Sequence, residues 1–387
     1  MHAWLLTDLF VAYYDARRNK RNSLSQLEFE LHYESNLITL CQELIDGTYT
    51  ISKNICFLIC DTVPREVFAP DFRDRVVHHL IINKISDICD TWFIHDSYSC
   101  RIGKWTHYGV KRLDHFVRSS SANYSRDSRI LKLDIKWFFM NIDKEVLLYL
   151  IRQTLASKKS LISWGGIDAE EYFMRLWDLI KKVTLHDPTQ FYQFIGSRKL
   201  YKHIPSDKSL FTSSPWCGIP IGNLTSQLFA NIYLHPFDLR VKQVLWCAYY
   251  GRYVDDFVIV HQDKNFLTSI IPLIKNYLAQ ELGLTLHPKK IYLQHYTKGV
   301  KFLGSYLKPY RIYINRRIIG NAQRSFRSIR NNFWSYTKYE TSQAHSTIHS
   351  YLGMMQHYRN FKQRKKITSL LPESYPISSP FTKLNNK

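Results

Sequence analysis

The chain has 387 residues, and 45% of them are hydrophobic. This length allows two or three subdomains with cores of their own, and this composition excludes a disordered protein. The chain carries 53 Lys and Arg against 32 Asp and Glu, a net charge of +21, which favours a polyanionic partner because neutralised phosphates release counterions. The 26 Tyr, 22 Phe and 9 Trp suit stacking on single-stranded bases, although many of these rings will form cores.

The seven cysteines are scattered, without the paired two-residue spacing that is typical of zinc sites, so we expect reduced thiols. The sequence contains no run of about 18 apolar residues, so no membrane-spanning helix is predicted. The first residues lack the basic region and the cleavage site of a signal peptide. We therefore expect a cytoplasmic protein with no membrane partner.

The first half of the chain predicts helices followed by a mixed unit. Residues 5–45 form helical patterns separated by a basic stretch at 17–21, and a strand is predicted at 55–59. A helix is predicted over 72–88, and its start carries Arg73 and Arg75. From residue 129 onward, the pattern of strand, helix, long insertion, helix and hairpin indicates an α+β unit with an antiparallel sheet.

Within the insertion at 151–215, the sequence pattern predicts one strong helix at 168–183. Beyond residue 304, three arginines fall three residues apart on one predicted helical face and form a basic stripe: Arg324, Arg327 and Arg330. A second amphipathic helix near 345–362 places Ile348, Leu352 and Met355 inward, before a basic run at 362–366 and a polar tail.

Two adjacent acids, Asp255 and Asp256, lie at a predicted tight bend between an aromatic-rich strand and an apolar strand. Adjacent carboxylates at the end of a buried strand repel each other and lose solvation, so a shared divalent cation is one explanation. Local hydrogen bonds to the backbone of a turn are the other explanation.

A third acid, Asp134, lies upstream in a strand pattern in which Leu131, Leu133 and Ile135 alternate with polar residues. Asp134 therefore projects from the face opposite these apolar side chains. If this strand lies beside the bend, Asp134 and Asp255 can hold two magnesium ions about 4 Å apart, an arrangement that activates a 3′-hydroxyl and stabilises leaving pyrophosphate. Together with the positive charge, this pattern indicates an enzyme that handles phosphate.

With Asp134, Gly222, Asp255 and Asp256 in place, the chain resembles a reverse transcriptase over nearly all of its length. Residues 68–79 and 96–104 resemble the first two motifs of the reverse transcriptases of diversity-generating retroelements, and residues 349–358 resemble their thumb pattern. Most reverse transcriptases carry Gln where Ile221 stands and Pro where Gln227 stands, and these two replacements mark the diversity-generating group.

The resemblance implies a right-hand polymerase with an α+β fold. Its fingers would include the N-terminal helices, over residues 1–128. The palm, an antiparallel sheet with packed helices, would span 129–305, with a fingers-side insertion at about 151–215, and a helical thumb with a tail would follow at 306–387. The implied cofactor is a pair of Mg²⁺ ions, for which Mn²⁺ can substitute. Asp134 and Asp255 would bind both ions, with Asp256 as a weaker ligand and the carbonyl of Ile135 completing one shell.

The resemblance also implies residues that contact the incoming deoxynucleoside triphosphate. Phe139 would lie beneath its sugar, where a ring collides with a 2′-hydroxyl. Arg101 and Lys104 would meet the triphosphate, although Trp105 stands where the family usually has Gly, and Lys290, or Lys289 in its place, would donate a proton to pyrophosphate.

Ile221 cannot form the hydrogen bond by which a Gln braces the nascent base pair, so we expect low fidelity; an apolar packing position is the simpler interpretation of the same residue. Gly222 and Gln227 belong to the same motif. Residues implied to contact nucleic acid are Arg73, Arg75, Phe302, Leu303, Gly304 and the arginines of the basic stripe.

The function implied is an RNA-directed DNA polymerase that copies a template-repeat RNA into cDNA with errors at template adenines. Its expected partners are template RNA, cDNA and a small, basic, helical, oligomeric accessory protein. Two alternatives remain open from sequence: a related bacterial reverse transcriptase of phage defence, and an RNA-binding scaffold with vestigial polymerase activity.

Overall fold

A computed structural model describes residues 3–18, 23–59, 64–157, 169–197, 201–202 and 204–371. Parts of the basic stretch at 17–21 and of the insertion at 151–215 lie outside these ranges, as does the tail after residue 371. None of the described helices is both long and apolar enough to cross a bilayer. The six cysteines within the described ranges are free thiols, in agreement with the scattered spacing.

The N-terminal helices pack around one long helix. The short helices are α1 (Ala3–Arg17), α2 (Leu24–Leu31) and α3 (Tyr33–Asp46), and the long one is α4 (Phe72–Trp92). The side chain of Asp71 caps α4 by accepting a hydrogen bond from the backbone N–H of Arg73, which satisfies a donor at the helix start. The helices predicted at 5–45 and 72–88 are confirmed, and α4 continues beyond its predicted end to Trp92.

A small sheet beside α4 joins two distant parts of the chain. Strand β1 (Asn54–Ile59) pairs antiparallel with β2 (Arg65–Ala69) and parallel with β4 (Tyr192–Ile195), which comes from the insertion. The buried carboxylate of Glu66 in β2 accepts hydrogen bonds from the hydroxyls of Tyr201 and Ser209 and from the N–H of Leu210. The insertion is therefore tied to this sheet by strand pairing and by a buried carboxylate.

The central sheet is antiparallel. Its strands are β3 (Arg129–Lys136), β5 (Tyr249–Tyr253), β6 (Asp256–His261), β7 (Thr285–Leu286) and β8 (Tyr292–His295). β3 lies in the middle, with β6 and then β5 on one side and both β7 and β8 on the other. The register places Asp134 directly opposite Asp256, so the predicted strand and hairpin are neighbours.

Helices cover both faces of this sheet. They are α5 (Thr106–Ser120), α6 (Lys144–Ala156), α7 (Ala169–Leu185), α8 (Leu224–Leu239), which continues as a π-helical turn (Arg240–Val244), and α9 (Lys264–Leu282). Leu131, Leu133 and Ile135 pack in the main core, whereas Ile130 packs in a second cluster with Leu113 of α5. The predicted α+β class with an antiparallel sheet and packed helices is confirmed.

The C-terminal helices have their own core, whereas the small sheet before them packs mainly in the second cluster. A three-stranded sheet of β9 (Val300–Phe302), β10 (Ser305–Lys308) and β11 (Arg311–Ile314) precedes α10 (Arg316–Asn332), α11 (Lys338–Gln356) and α12 (Phe361–Thr368). Ile348, Leu352 and Met355 are buried as predicted. The bounds predicted for their helix, 345–362, were wrong: a capping box of Thr337 and Glu340 starts it earlier, and the basic run belongs to a separate helix.

Candidate active site

The bend that joins β5 and β6 carries the acidic pair. Val254 in this bend has a φ of +56°, which is strained for a β-branched residue. The carbonyl of Asp255 accepts a hydrogen bond of 3.2 Å from the N–H of Ile135, and the carbonyl of Asp134 accepts one of 2.8 Å from the N–H of His287. These bonds hold the bend, the end of β3 and the segment after β7 next to one another.

Three carboxylates converge here. Burial, followed by the charges of Asp134 and Asp256, raises the pKa of Asp255 to about 6. Burial also raises the pKa of Asp256, although Lys132 opposes this by an ion pair of 3.0 Å to its Oδ2. The other oxygen of Asp256 is buried and accepts no hydrogen bond from the described residues. The fold therefore brings three carboxylates together, and nearby positive charges neutralise them only in part.

Two lysines supply the neutralising charge. The ammonium group of Lys290 contacts both carboxylate oxygens of Asp134, and Lys132 contacts Asp256. Among the described residues, Asp255 has no ion-pair partner within 4 Å, and no group of three or more acidic, His or Cys side chains is already arranged for a metal ion.

The donor set nonetheless fits magnesium. Its members are carboxylate oxygens, which are the hard ligands that Mg²⁺ prefers. The unpartnered buried oxygen of Asp256 and the raised pKa of Asp255 are both explained if a cation completes the site. Because Lys290 contacts both oxygens of Asp134, it would compete with a cation for them.

A cleft of about 270 Å³ opens over these acids. Its lining includes the predicted residues Asp134, Ile135, Phe139, Ile221, Asp255 and Lys290. Phe138 is buried in the core, whereas Phe139, its neighbour in a 3₁₀ turn, is half-buried at the cleft. Both rings line the cleft, and Phe139 is the more exposed of the two.

The cleft also contains residues that sequence reasoning missed: Arg65, Trp137, Lys208 and His287. The ammonium group of Lys208 lies 4.1 Å from the centre of the Trp137 ring, which is within cation–π range. Burial, followed by the positive charges of Lys290 and Arg65, lowers the pKa of Lys208, and the charge of Asp207 opposes this shift. No spacing or motif singles out these residues, because they meet only in the folded chain.

Gly222 is required by close packing. Its φ is +129°, and a Cβ there would lie 2.5 Å from the carbonyl oxygen of Phe68. The carbonyl of the preceding Ile221 accepts a hydrogen bond of 2.9 Å from the N–H of Phe68. The segment that holds Ile221 therefore packs directly on β2, and this contact fixes the position of Ile221 at the cleft.

The sequence profile described as "Reverse transcriptase (RNA-dependent DNA polymerase)" matches residues 63–307, which is more than half of the chain. The chain belongs to the reverse transcriptase family. No curated protein matches its sequence.

Solved structures similar to this chain include telomerases of two Candida species. The telomerase of Candida albicans in complex with a fragment of telomeric RNA is 12% identical, with 88% of this chain and 64% of that chain covered and a TM-score of 0.45. The apo telomerase of Candida tropicalis is 12% identical, with 84% and 59% covered and a TM-score of 0.47. The chain spans less than two thirds of the length of these proteins.

Two predicted phosphate contacts lie away from the cleft. Arg101 is buried and donates hydrogen bonds to Asp90 and to the carbonyls of Ile94 and Ser97, and Lys104 donates one of 2.8 Å to the carbonyl of His95. Neither residue lines the cleft. Their charged groups hold a loop in place, so the structure does not bring them to the acids.

The predicted contacts to nucleic acid are spread over the chain. Arg73 is engaged by Glu43, by the ring of Tyr49 and by the carbonyl of Thr50, and Arg75 is half-buried. Phe302 is in the core, and Leu303 and Gly304, both with positive φ, form the turn between β9 and β10.

The other predicted contacts lie on helix surfaces. The three arginines of the basic stripe are exposed on α10. Gln227 is exposed on α8, and its Oε1 accepts a hydrogen bond from the thiol of Cys100.

Proposed function

We propose that this protein is an RNA-directed DNA polymerase that works with two divalent metal ions. The observation that carries the proposal is the convergence of Asp134 and Asp255 beneath a cleft that also contains Phe139, Ile221 and Lys290. Membership of the reverse transcriptase family supports the same activity. The net charge of +21 suits an RNA–DNA duplex because each phosphate contact releases counterions.

The acids hold the metal in this proposal. Asp134 and Asp255 would bind it, with the carbonyl of Ile135 and the weaker ligand Asp256 beside them. When bound, magnesium lowers the pKa of the primer 3′-hydroxyl and neutralises the leaving pyrophosphate. Lys290, whose ammonium group contacts Asp134, would donate a proton to pyrophosphate.

Two cleft residues set substrate choice in this proposal. The ring of Phe139 lines the cleft and would collide with a ribose 2′-hydroxyl of a bound nucleotide, so deoxynucleotides would be favoured. Ile221 offers no hydrogen bond to the nascent pair, and a mispaired nucleotide therefore loses less relative to a correct one.

The finer proposal is that the enzyme serves a diversity-generating retroelement. It would copy a template-repeat RNA with errors at adenines, together with a small, basic, oligomeric accessory protein. Ile221 and Gln227 support this assignment, since both depart from the pattern of most reverse transcriptases at the positions that mark the group.

Primer extension on an RNA template with magnesium tests the activity. We expect Asp255→Asn to lower extension roughly 100-fold or more, because the remaining carboxylates cannot hold both ions. Asp178→Asn is the matched control, since that acid is exposed on α7 and pairs only with Lys181 among the described residues. Wild-type extension by Asp255→Asn would refute the proposal.

Sequencing the cDNA, made with and without the accessory protein, tests the finer proposal. Errors concentrated at template adenines would support it, and faithful copying would favour a reverse transcriptase of phage defence. We expect Ile221→Gln to reduce misincorporation several-fold, on the order of the discrimination that one hydrogen bond provides. An unchanged error rate would leave Ile221 as a packing residue.

A further inference from the structure

Arg252 is the largest side chain in the described part of the chain that is completely buried. It lies in β5, two residues before Val254. Its guanidinium pairs with Asp238 of α8 through two hydrogen bonds, of 2.7 Å from Nε and 2.6 Å from Nη2, and neither side chain is exposed. A buried ion pair is weak evidence for stability, because an apolar pair of similar size often serves as well. This pair therefore calls for a further explanation.

The remaining nitrogen of Arg252 contacts the bend itself. Nη1 donates a hydrogen bond of 3.0 Å to the carbonyl of Val254 and one of 3.2 Å to Oδ1 of Asn231. That carbonyl belongs to the peptide that connects Val254 to Asp255. Because Val254 has a left-handed φ of +56°, its conformation is strained and persists only where the surroundings hold it.

The backbone of Arg252 is held on both sides by hydrogen bonds. Its N–H donates to the carbonyl of Asp96 at 2.9 Å, and its carbonyl accepts from the N–H of Tyr98 at 3.0 Å. The bidentate pair with Asp238 fixes the plane of the guanidinium. A continuous set of bonds therefore runs from α8 through Arg252 to the peptide that orients Asp255.

We propose that Arg252 is a positioning residue for the candidate metal site. Held by Asp238, it fixes the carbonyl of Val254 and so keeps the bend in the left-handed conformation that presents Asp255 beside Asp134. The inference rests on the proposed function for its purpose, whereas its structural part concerns only the bend.

The test is a double-mutant cycle between Arg252→Lys and Val254→Gly. Lysine keeps a positive charge opposite Asp238 but cannot also reach the bend with a planar fork. Glycine removes the strain, because it adopts positive φ readily. If Arg252 acts by holding the strained bend, Arg252→Lys should have a smaller effect when residue 254 is glycine.

Two readouts are required, and neither is polymerase activity. The first is the dissociation constant for Mn²⁺, measured by electron paramagnetic resonance. The second is hydrogen exchange of the Ile135 amide, which donates to the carbonyl of Asp255. The control is Tyr250→Phe, because the hydroxyl of Tyr250 donates to the same Asp238 oxygen at 2.6 Å and does not reach the bend.

We expect Arg252→Lys to weaken Mn²⁺ binding and to speed exchange of the Ile135 amide by roughly tenfold each, as the removal of one charge-assisted hydrogen bond predicts. In the Val254→Gly background the same change should have an effect of about threefold or less. Tyr250→Phe should leave both readouts near wild type. If Arg252→Lys fails to fold, recovery of folding by adding Val254→Gly would support the proposal in the same way.

Equal effects of Arg252→Lys in the two backgrounds would overturn the proposal, because they would show that Arg252 only balances Asp238. Failure of both the single and the double variant to fold would overturn it too. Absence of Mn²⁺ binding or primer extension in the wild type would instead count against the proposed function. The exchange comparison would still decide whether Arg252 holds the bend.

Discussion

The ammonium group of Lys290 lies 3.0 and 2.9 Å from the two carboxylate oxygens of Asp134. In the proposed mechanism these oxygens would bind the metal, so Lys290 would compete with the cation for them. We expect Lys290→Met to tighten Mn²⁺ binding several-fold, since the competing cation is gone. The same change should lower kcat about 100-fold or more, because the proton donor is also removed.

Metal titration and steady-state kinetics check this prediction. Lys289→Met is the control, since Lys290, and not its neighbour, forms the ion pair with Asp134. Unchanged metal affinity in Lys290→Met would contradict the competition. A larger drop of kcat in Lys289→Met would transfer the donor role to that residue.

The raised pKa of Asp255 predicts a pH-dependent stability without metal. Its pKa is about 6 in the folded protein, against an ordinary value of 3.8. Between these values the folded chain holds a proton that the unfolded chain has released, so the free energy of unfolding falls as pH rises from about 4 to about 6. We expect Asp255→Asn to reduce this slope, because its amide does not titrate.

Thermal unfolding in a chelator over this pH range measures the effect for wild type and variant. Magnesium should restore more stability above about pH 6 than below about pH 4, since it binds the carboxylate and competes with the proton. Identical slopes for the two proteins would rule out Asp255 as the titrating group.

Close packing at Gly222 predicts a large effect from one methyl group. A Cβ there meets the carbonyl oxygen of Phe68 at 2.5 Å, and the φ of +129° is unfavourable for alanine. We expect Gly222→Ala to lower the free energy of unfolding by about 1–3 kcal/mol. Gly320→Ala in α10 is the control, because no atom beyond its chain neighbours and its own helix backbone lies within 4 Å of the added Cβ and alanine favours a helix. Denaturant titrations of both variants decide, and equal stability would disprove the packing argument.

The basic stripe predicts a change in salt dependence. We expect replacement of Arg324, Arg327 and Arg330 by Gln to make the slope of log affinity against log salt shallower, by roughly 0.7–0.9 for each phosphate that is no longer neutralised. Affinity for an RNA–DNA duplex should fall without a change in sequence preference. Fluorescence anisotropy at several salt concentrations measures the slope. Lys264→Gln with Lys275→Gln on α9 is the control, and an equal change per charge removed would show that only total charge matters.

Local sequence patterns predicted the strand that carries Asp134, but they did not predict which strands pair with it. Alternation of apolar and polar residues placed Asp134 opposite Leu131 and Leu133 correctly, because strand geometry fixes the face. The register that sets Asp134 against Asp256 depends on how β3 and β6 meet across a long intervening stretch of chain. Only the resemblance to a known family predicted that meeting.

Helical spacing likewise did not predict which apolar residues of a helix are buried by the rest of the protein. Leu24, Leu27 and Leu31 follow the same kind of spacing as Leu37 and Leu40, yet the first three are exposed and the last two are buried. A periodic pattern shows that an apolar stripe exists but not which surface meets it. Arg101 illustrates the same limit, since its partner Asp90 and the carbonyls around it are brought close by the loop and by the end of α4.

Strand β4 has a consequence for dividing this protein. It pairs with β1, although the predicted boundary at residue 128 assigns the two strands to different parts of the chain. A fragment ending there would leave the edge of β1 without its partner and the carboxylate of Glu66 without the groups that satisfy it. Separate expression of the two halves should therefore give an aggregating first fragment, and complementation between co-expressed halves is the way to recover it.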